Sequence, residues 1–527
     1  MSLRRLVSLL AFLPVLACEG TLMVDSPDAE VRADAQPDPR DGSVVVPRDG
    51  GGPTPRDGGP TPRDAGPPPR DAGPPTPGVL APDLRVARVD LYQAVRVPLA
   101  AGGAPADRTG LPVIANRQAL VRVHVEATPD WRPRPITAVL ELTPTSGAPQ
   151  RFVDVRTPSL PSDDARPASL FTIGVPASAI VPGTRYRVRL EAEGGVASAP
   201  DASFPRDGTS APLDVVTTNV ISLVLVPFRY DTDRSGRLPD VSDAQLARYR
   251  DELTSRFPYA AVDLRVHPIV PWARSTRLGG NVDWGDVNAE LLELRDAAGA
   301  PEHEYWYGLM APNTSRAAYC DAVWGSCVTG QSYVATLDGS RVGSGVGFGD
   351  LDSVGTLAHE LGHLHGRFHA PCGTSGTDSS YPYRGGVIGV WGWDHRDGTL
   401  HSPTDSTDLL GYCDPQWISD YTYRAMFERQ RALRMLYPLR SERAPTLHRV
   451  LIVEAGEARW ATPRRLRELP GETVVATVRD ARGAVLDSVE VSVLELAHED
   501  ALTVVLPDRV SPRAAELEVG ALRIRLP

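Results

Sequence analysis

Between residues 80 and 215 apolar and polar side chains alternate in short runs: ALVRVHVEA at 119–127, ITAVLELT at 136–143 and RYRVRLEAE at 185–193. Pro, Gly and Asp clusters separate them. Alternation with a period of two places one face of a strand in a core and the other in water, and frequent turns fold such strands back antiparallel, so the pattern predicts a β-sandwich. His124 falls inside one of these runs, where a histidine packs or faces solvent far more often than it binds a ligand.

From about Asn219 the pattern changes. VISLVLVPFRY (220–230) is apolar on both sides of the alternation and predicts a buried strand. SDAQLARYRDELTSRF (242–257) predicts a helix with Leu246, Tyr249 and Leu253 on one face and Ser242 as its cap. VDLRVHP (262–268), DVNAELLELRDA (286–297) and EYWYGLMA (304–311) continue the alternation as strand, helix and strand. QSYVATL (331–337) and SGVGFG (344–349) fit further short strands. After Ala444 the two-residue alternation returns in RVLIVEA (449–455), ETVVATVRD (472–480) and SVEVSVLELA (488–497), predicting a second, smaller β-domain.

The stretch DSVGTLAHELGHLHGRFH (352–369) carries the chemistry. Asp352 or Ser353 can cap a helix in which Leu357, Leu361 and Leu364 form one apolar stripe. At 100° per residue, His359 and His363 lie roughly 200° to 240° round from Leu357, together on the opposite face. Two imidazoles one turn apart can share a metal ion, and zinc, with its four-coordinate preference, needs another donor. His369 can supply it only if the helix stops, and Gly366 can take the left-handed conformation that stops it. Three neutral imidazoles leave one zinc position open, which is the arrangement of a catalytic site. Glu360 borders the same face as a general base for water and then as the acid for a leaving amine.

HELGHLHGRFH resembles the HExxHxxGxxH motif of the metzincin zinc peptidases, with every defining position filled. The resemblance spans about 216–440. It implies a twisted mixed sheet with an active-site helix, one catalytic Zn2+, a protein or peptide substrate and a turn beneath the metal. Metzincins usually have Asp-x-Met-x-Tyr in that turn. Here Asp408 and Tyr412 match, and Leu410 stands at the methionine position, a volume-conserving apolar replacement. The astacin and serralysin groups place a tyrosine at the position of Tyr412 that ligates zinc or steadies the oxyanion; the other reading of Tyr412 is a core tyrosine at a turn. Residues 420–436 correspond to the helix that closes a metzincin catalytic domain.

Neighbouring groups take lesser roles. His365 lies off the ligand face, at the surface or behind the ligands; His395 and His401 are structural or on the substrate side; Trp391 and Trp393 line the cleft or fill core. DTDRSGRLPD (231–240) begins like a Ca2+ loop but lacks the terminal glutamate, so a tight turn is the better reading, with Ca2+ as the other.

Composition settles what remains. The formal charge of -11, with both signs interspersed, offers no footprint for nucleic acid. Arg4 and Arg5 followed by LVSLLAFLPVLA have the layout of an export signal over 1–17. VLAC at 15–18 resembles the bacterial lipobox, which makes Cys18 a lipid anchor and the chain a cell-envelope lipoprotein of the outer membrane or cell surface. Residues 18–79 repeat Pro-Arg-Asp among Pro, Gly and Asp, and predict a disordered spacer with almost nothing to bury. The other four of the five cysteines, Cys320, Cys327, Cys372 and Cys413, allow three pairings; loop proximity favours Cys320 with Cys327 and Cys372 with Cys413. The expected organisation is therefore multidomain, an α+β metzincin-like catalytic domain (216–444) flanked by a β-sandwich (Ig-like) domain at 80–215 and a small β-domain at 445–527. The function expected is that of an exported zinc endopeptidase. The alternatives are an inactive metzincin-like binding lipoprotein and a zinc amidase acting on cell-wall material.

Overall fold

The apolar run at 220–230 forms the strand Ile221–Tyr230, and its two faces enter two different cores. Leu223 and Leu225 pack with Tyr305, Tyr307 and Leu309 beneath helices α1 (Asp243–Arg256) and α4 (Leu351–Leu364). Val224 and Val226 pack with Trp306, Met310 and Val342 beneath α2 (Trp284–Ala298). A strand covered by helices on both faces has no side left for water, which is why the run is continuously apolar. The computed structural model describes residues 79–527 except 275, 277–279, 324–326, 336–339, 436–442 and 498–500. The signal sequence, Cys18 and almost all of the spacer therefore lie outside the described residues.

The sheet runs in the order Val262–Val266, Ile221–Tyr230, Glu304–Met310, Val342–Val346, Gly330–Ser332. The first four strands are parallel and the last is antiparallel to its neighbour. The helices begin and end where the local chemistry dictates. Ser242 caps α1 through the backbone N–H of Gln245, Asp283 caps α2, and Gly299 at φ 58° ends it. Two further helices are α3 (Arg316–Ala322), which the sequence pattern does not foretell, and α5 (Asp420–Met435).

Residues N-terminal to this unit form two antiparallel sheets that share one core. One contains Leu84–Ala101, Ala119–Ala127 and Phe171–Val175; the other contains Arg185–Glu191, Ile136–Thr143 and Gln150–Arg156. The first sheet also recruits Gly392–Trp393 and Leu400–His401, from within the stretch that the sequence assigns to the catalytic domain. Its apolar cluster runs without a break from Ala81 to Met426. The C-terminal residues form an eight-stranded antiparallel sheet in which Thr446–Glu454 pairs with Ala501–Pro507. Val450 and Ile452 pack on Ala289 of α2, and Arg464 ties it to Asp286. The molecule is thus β-rich with five described helices, an α+β assembly of several sheets.

Candidate metal centre and active site

The cap of α4 is Asp350, two residues before Asp352 and three before Ser353. Its carboxylate accepts the N–H of Ser353, and the Ser353 hydroxyl accepts the N–H of Phe348. Two backbone donors are satisfied reciprocally, which neither Asp352 nor Ser353 as cap would achieve. Leu357, Leu361 and Leu364 are buried in the core, as the stripe predicts. Gly366 has φ +77°, and a Cβ there would sit 3.0 Å from the Ala335 carbonyl oxygen. Both the backbone conformation and the space demand glycine at the point where the chain turns back toward His369.

His359, His363 and His369 present ring nitrogens that all lie within 4.8 Å of one another. The first two rings have their tautomers set by the backbone. His359 Nδ1 lies 2.7 Å from the carbonyl oxygen of Leu409, and His363 Nδ1 lies 2.6 Å from that of Arg367. A carbonyl can only accept, so each Nδ1 carries the proton and each neutral ring has its lone pair at Nε2. Those two Nε2 atoms are 3.1 Å apart. Two converging lone pairs repel unless an electrophile lies between them. Zinc with nitrogens at about 2.0–2.1 Å would hold a tetrahedral pair roughly 3.3 Å apart, so the donor set fits.

A further layer fixes these histidines. Asp378 binds Arg367 at 2.9 Å and Tyr421 at 2.8 Å, while its own N–H donates to the His369 carbonyl. One residue thus anchors both the residue whose carbonyl orients His363, through its carboxylate, and the third histidine, through its backbone N–H. Nothing in the spacing of the motif points to Asp378.

Glu360 lies against the sheet edge. Its carboxylate accepts the Ser332 hydroxyl, and a Cβ on Gly330 would be 2.9 Å from Glu360 Oε1. The glycine lets the edge strand approach the glutamate. Beneath the helix, Leu410 is 1% exposed, and its Cδ2 would lie 2.5 Å from a Cβ on Gly362. Asp408 is buried and fixes this turn, with one carboxylate oxygen accepting Leu410 N–H at 3.0 Å and the other accepting Ser419 N–H at 2.9 Å. Tyr412 is 49% exposed, with its ring centroid 5.6 Å from that of His359 and 5.3 Å from that of His369. It is therefore a rim residue beside the imidazoles, and the core-tyrosine reading falls. The cysteines pair as Cys320–Cys327 and Cys372–Cys413, the second joining the chain just past His369 to the end of the turn.

The remaining candidates resolve individually. His365 is buried, stacked 4.8 Å from Tyr305 and bonded to the Tyr259 hydroxyl, so it is core and not surface. Burial lowers its pKa to about 3. His401 stacks on Trp417 at 4.1 Å, and Trp393 is buried where its strand pairs with Ala94. Trp391 borders a separate pocket of about 430 Å³ with Arg88, His124 and Asp164. Beside that pocket the buried Asp90 converges with His124 and Asp164. There, however, Arg88 pairs with both carboxylates and Arg122 with Asp164, so resident guanidinium groups already balance the charge. His124 is part of this packing. Residues 231–240 form a turn in which Asp231 pairs with Arg229 and Asp233 with Arg237, as expected for the turn reading.

Residues 284–416 match the family model described as Peptidase M66. The matched stretch runs from α2 through the turn and contains the three histidines, Glu360, Ser332, both disulfides and Tyr412. It supports a metallopeptidase family for this part of the chain. No curated protein and no solved structure matches the chain.

Proposed function

We propose that the chain is an exported zinc-dependent endopeptidase of the metzincin type, with His359, His363 and His369 as ligands and Glu360 as general base. The observation that carries this reading is the convergence of the His359 and His363 Nε2 atoms at 3.1 Å, each ring oriented by a backbone carbonyl. Zinc held there would polarise a peptide carbonyl and bring the pKa of a water toward about 7. Glu360 takes the proton from the attacking water and returns it to the departing amine. Tyr412, at the rim beside His359 and His369, would ligate the zinc or steady the developing oxyanion.

In the same reading residues 1–17 direct export, Cys18 carries the lipid, and 18–79 space the folded part from the cell envelope. Residues 80–215 form an Ig-like sandwich that is a permanent support and not a removable propeptide. The continuous core from Ala81 to Met426 and the pairing of Gly392–Trp393 with the Leu84–Ala101 strand favour this. No described helix is long and apolar enough to cross a membrane, so attachment is assigned to the lipid alone.

The test is zinc content and cleavage of a broad peptide library by the purified chain and by Glu360→Ala. The expected result is one zinc per chain in both and cleavage by the native chain only. Equal cleavage by both would overturn the mechanism. Zinc without cleavage in the native chain would favour a binding scaffold.

A further inference from the structure

The short strand beside Glu360 is gripped from three directions at Ser332. Its hydroxyl donates to the Glu360 carboxylate and lies 3.1 Å from the Glu360 carbonyl oxygen. Across the sheet, Ser332 pairs with Gly343, where a Cβ would come within 2.7 Å of the serine Cβ; the strand can lie this close only because residue 343 is glycine. On its outer side, the Ser332 carbonyl accepts the N–H of Ala497 at 2.9 Å. The next residues extend that contact. Tyr333 bridges to Leu496, and Val334 N–H donates to the Glu495 carbonyl at 2.9 Å. Tyr333 is buried, with its hydroxyl 3.4 Å from that of Thr503.

We infer that Ser332 is the positioning residue for Glu360, and that the C-terminal sheet completes the catalytic site by holding Ser332 in register. This rests on the reading of Glu360 as general base. A glutamate side chain has three rotatable bonds and samples many positions when unheld. Ser332 is fully buried and can move only with its strand. Its hydroxyl restricts one carboxylate oxygen, while the backbone of Gly330 passes beside the other. Register matters because successive strand residues face opposite sides: a slip of one residue would turn the Ser332 hydroxyl away from α4. The bonds from Ala497 and to Glu495 oppose that slip. Residues more than 130 positions downstream of Glu360 thereby act on its orientation through one serine.

The experiment uses the full chain with Ser332→Ala, Ser332→Thr and Ala497→Pro. Ser332→Ala removes the hydroxyl, Ser332→Thr keeps it, and Ala497→Pro removes the N–H that holds the strand without altering either Ser332 or Glu360. Zinc content, kcat, KM and the crystal structure of the metal-free protein are measured for each. The expected result for Ser332→Ala is native zinc content, an unchanged KM and a kcat lower by about 10- to 100-fold. Ser332→Thr recovers most of kcat, and Ala497→Pro lowers it in the same direction. In the metal-free crystals the Glu360 carboxylate occupies one position in the native chain and several in Ser332→Ala. A native kcat in Ser332→Ala, or a single unchanged Glu360 position there, overturns the inference. If the native chain cleaves no peptide, the peptidase reading fails, and the crystals of the metal-free proteins still decide whether Ser332 positions Glu360.

Discussion

Leu410 fills the position where the metzincin pattern has methionine, and its surroundings explain why leucine serves. The side chain closes on Gly362 from below, and the backbone on either side does the orienting: Leu409 O holds His359, and Leu410 O accepts the N–H of Ala370. The floor needs an apolar volume and not a sulfur atom. Leu410→Met is therefore expected to keep zinc and activity, changing stability by less than about 1.5 kcal/mol, while Leu410→Ala costs about 2–5 kcal/mol. Denaturant melts of the two variants check this. Asp378 is the opposite case, polar and distant in kind from the motif, yet bonded to Arg367 and, through its N–H, to the His369 carbonyl. Asp378→Ala is expected to weaken zinc binding about 10- to 100-fold with little change in fold, as read by competition with a chelator.

At the scale of elements, the longer helices and the convergence of the three histidines were legible because each depends on chemistry within a few residues. The apolar stripe, the capping serine of α1 and the stop at Gly366 all act over one or two turns. The cap of α4 was misplaced by two or three residues, because Asp350, Asp352 and Ser353 are all competent caps and only the contact from Phe348 N–H to Ser353 chooses among them. Ser332 and Asp378 were illegible for a different reason. Their partners, 28 residues away in one case and across a loop in the other, are set by tertiary packing, and serine or aspartate in a loop has no local signature. The two disulfides, by contrast, followed from proximity along the chain. Cys372–Cys413 closes a loop of 41 residues that carries the turn beneath His359. Replacing both cysteines with serine is expected to cost about 4 kcal/mol by releasing that loop in the unfolded chain, and to lower zinc retention because the turn loses its tie to the chain after His369. Thermal melts with and without chelator separate the two effects.

Across the whole molecule, the sequence conveyed the order of β, α/β and β regions but not how they interlock. Alternation reports which face of a strand is buried, and is silent about which strand from elsewhere joins its edge; Gly392–Trp393 and Leu400–His401 join the N-terminal sheet with no sequence cue. That junction contains His401. Its ring stacks on Trp417, whose indole N–H donates to the Ala94 carbonyl, and Arg256 of α1 lies over the same indole at 4.9 Å. Burial, and then the charge of Arg256, lower the His401 pKa from 6.5 to about 4; Arg396 acts in the same direction, and Asp394 and Asp397 oppose it. The sign follows from proton uptake. Between about pH 6.5 and 4 the unfolded chain binds a proton at this histidine and the folded chain does not, so the stabilising difference is present above 6.5 and is lost as pH falls toward 4. One pKa unit corresponds to about 1.4 kcal/mol, so the shift sets an upper bound of about 3 to 4 kcal/mol, which the partial exposure of the ring reduces. The native chain is therefore expected to lose thermal stability over this window, and His401→Gln, which cannot take up the proton, to lose less. Tm measured from pH 7 to pH 4 in both proteins decides it: parallel curves would mean that His401 does not couple the junction to acid.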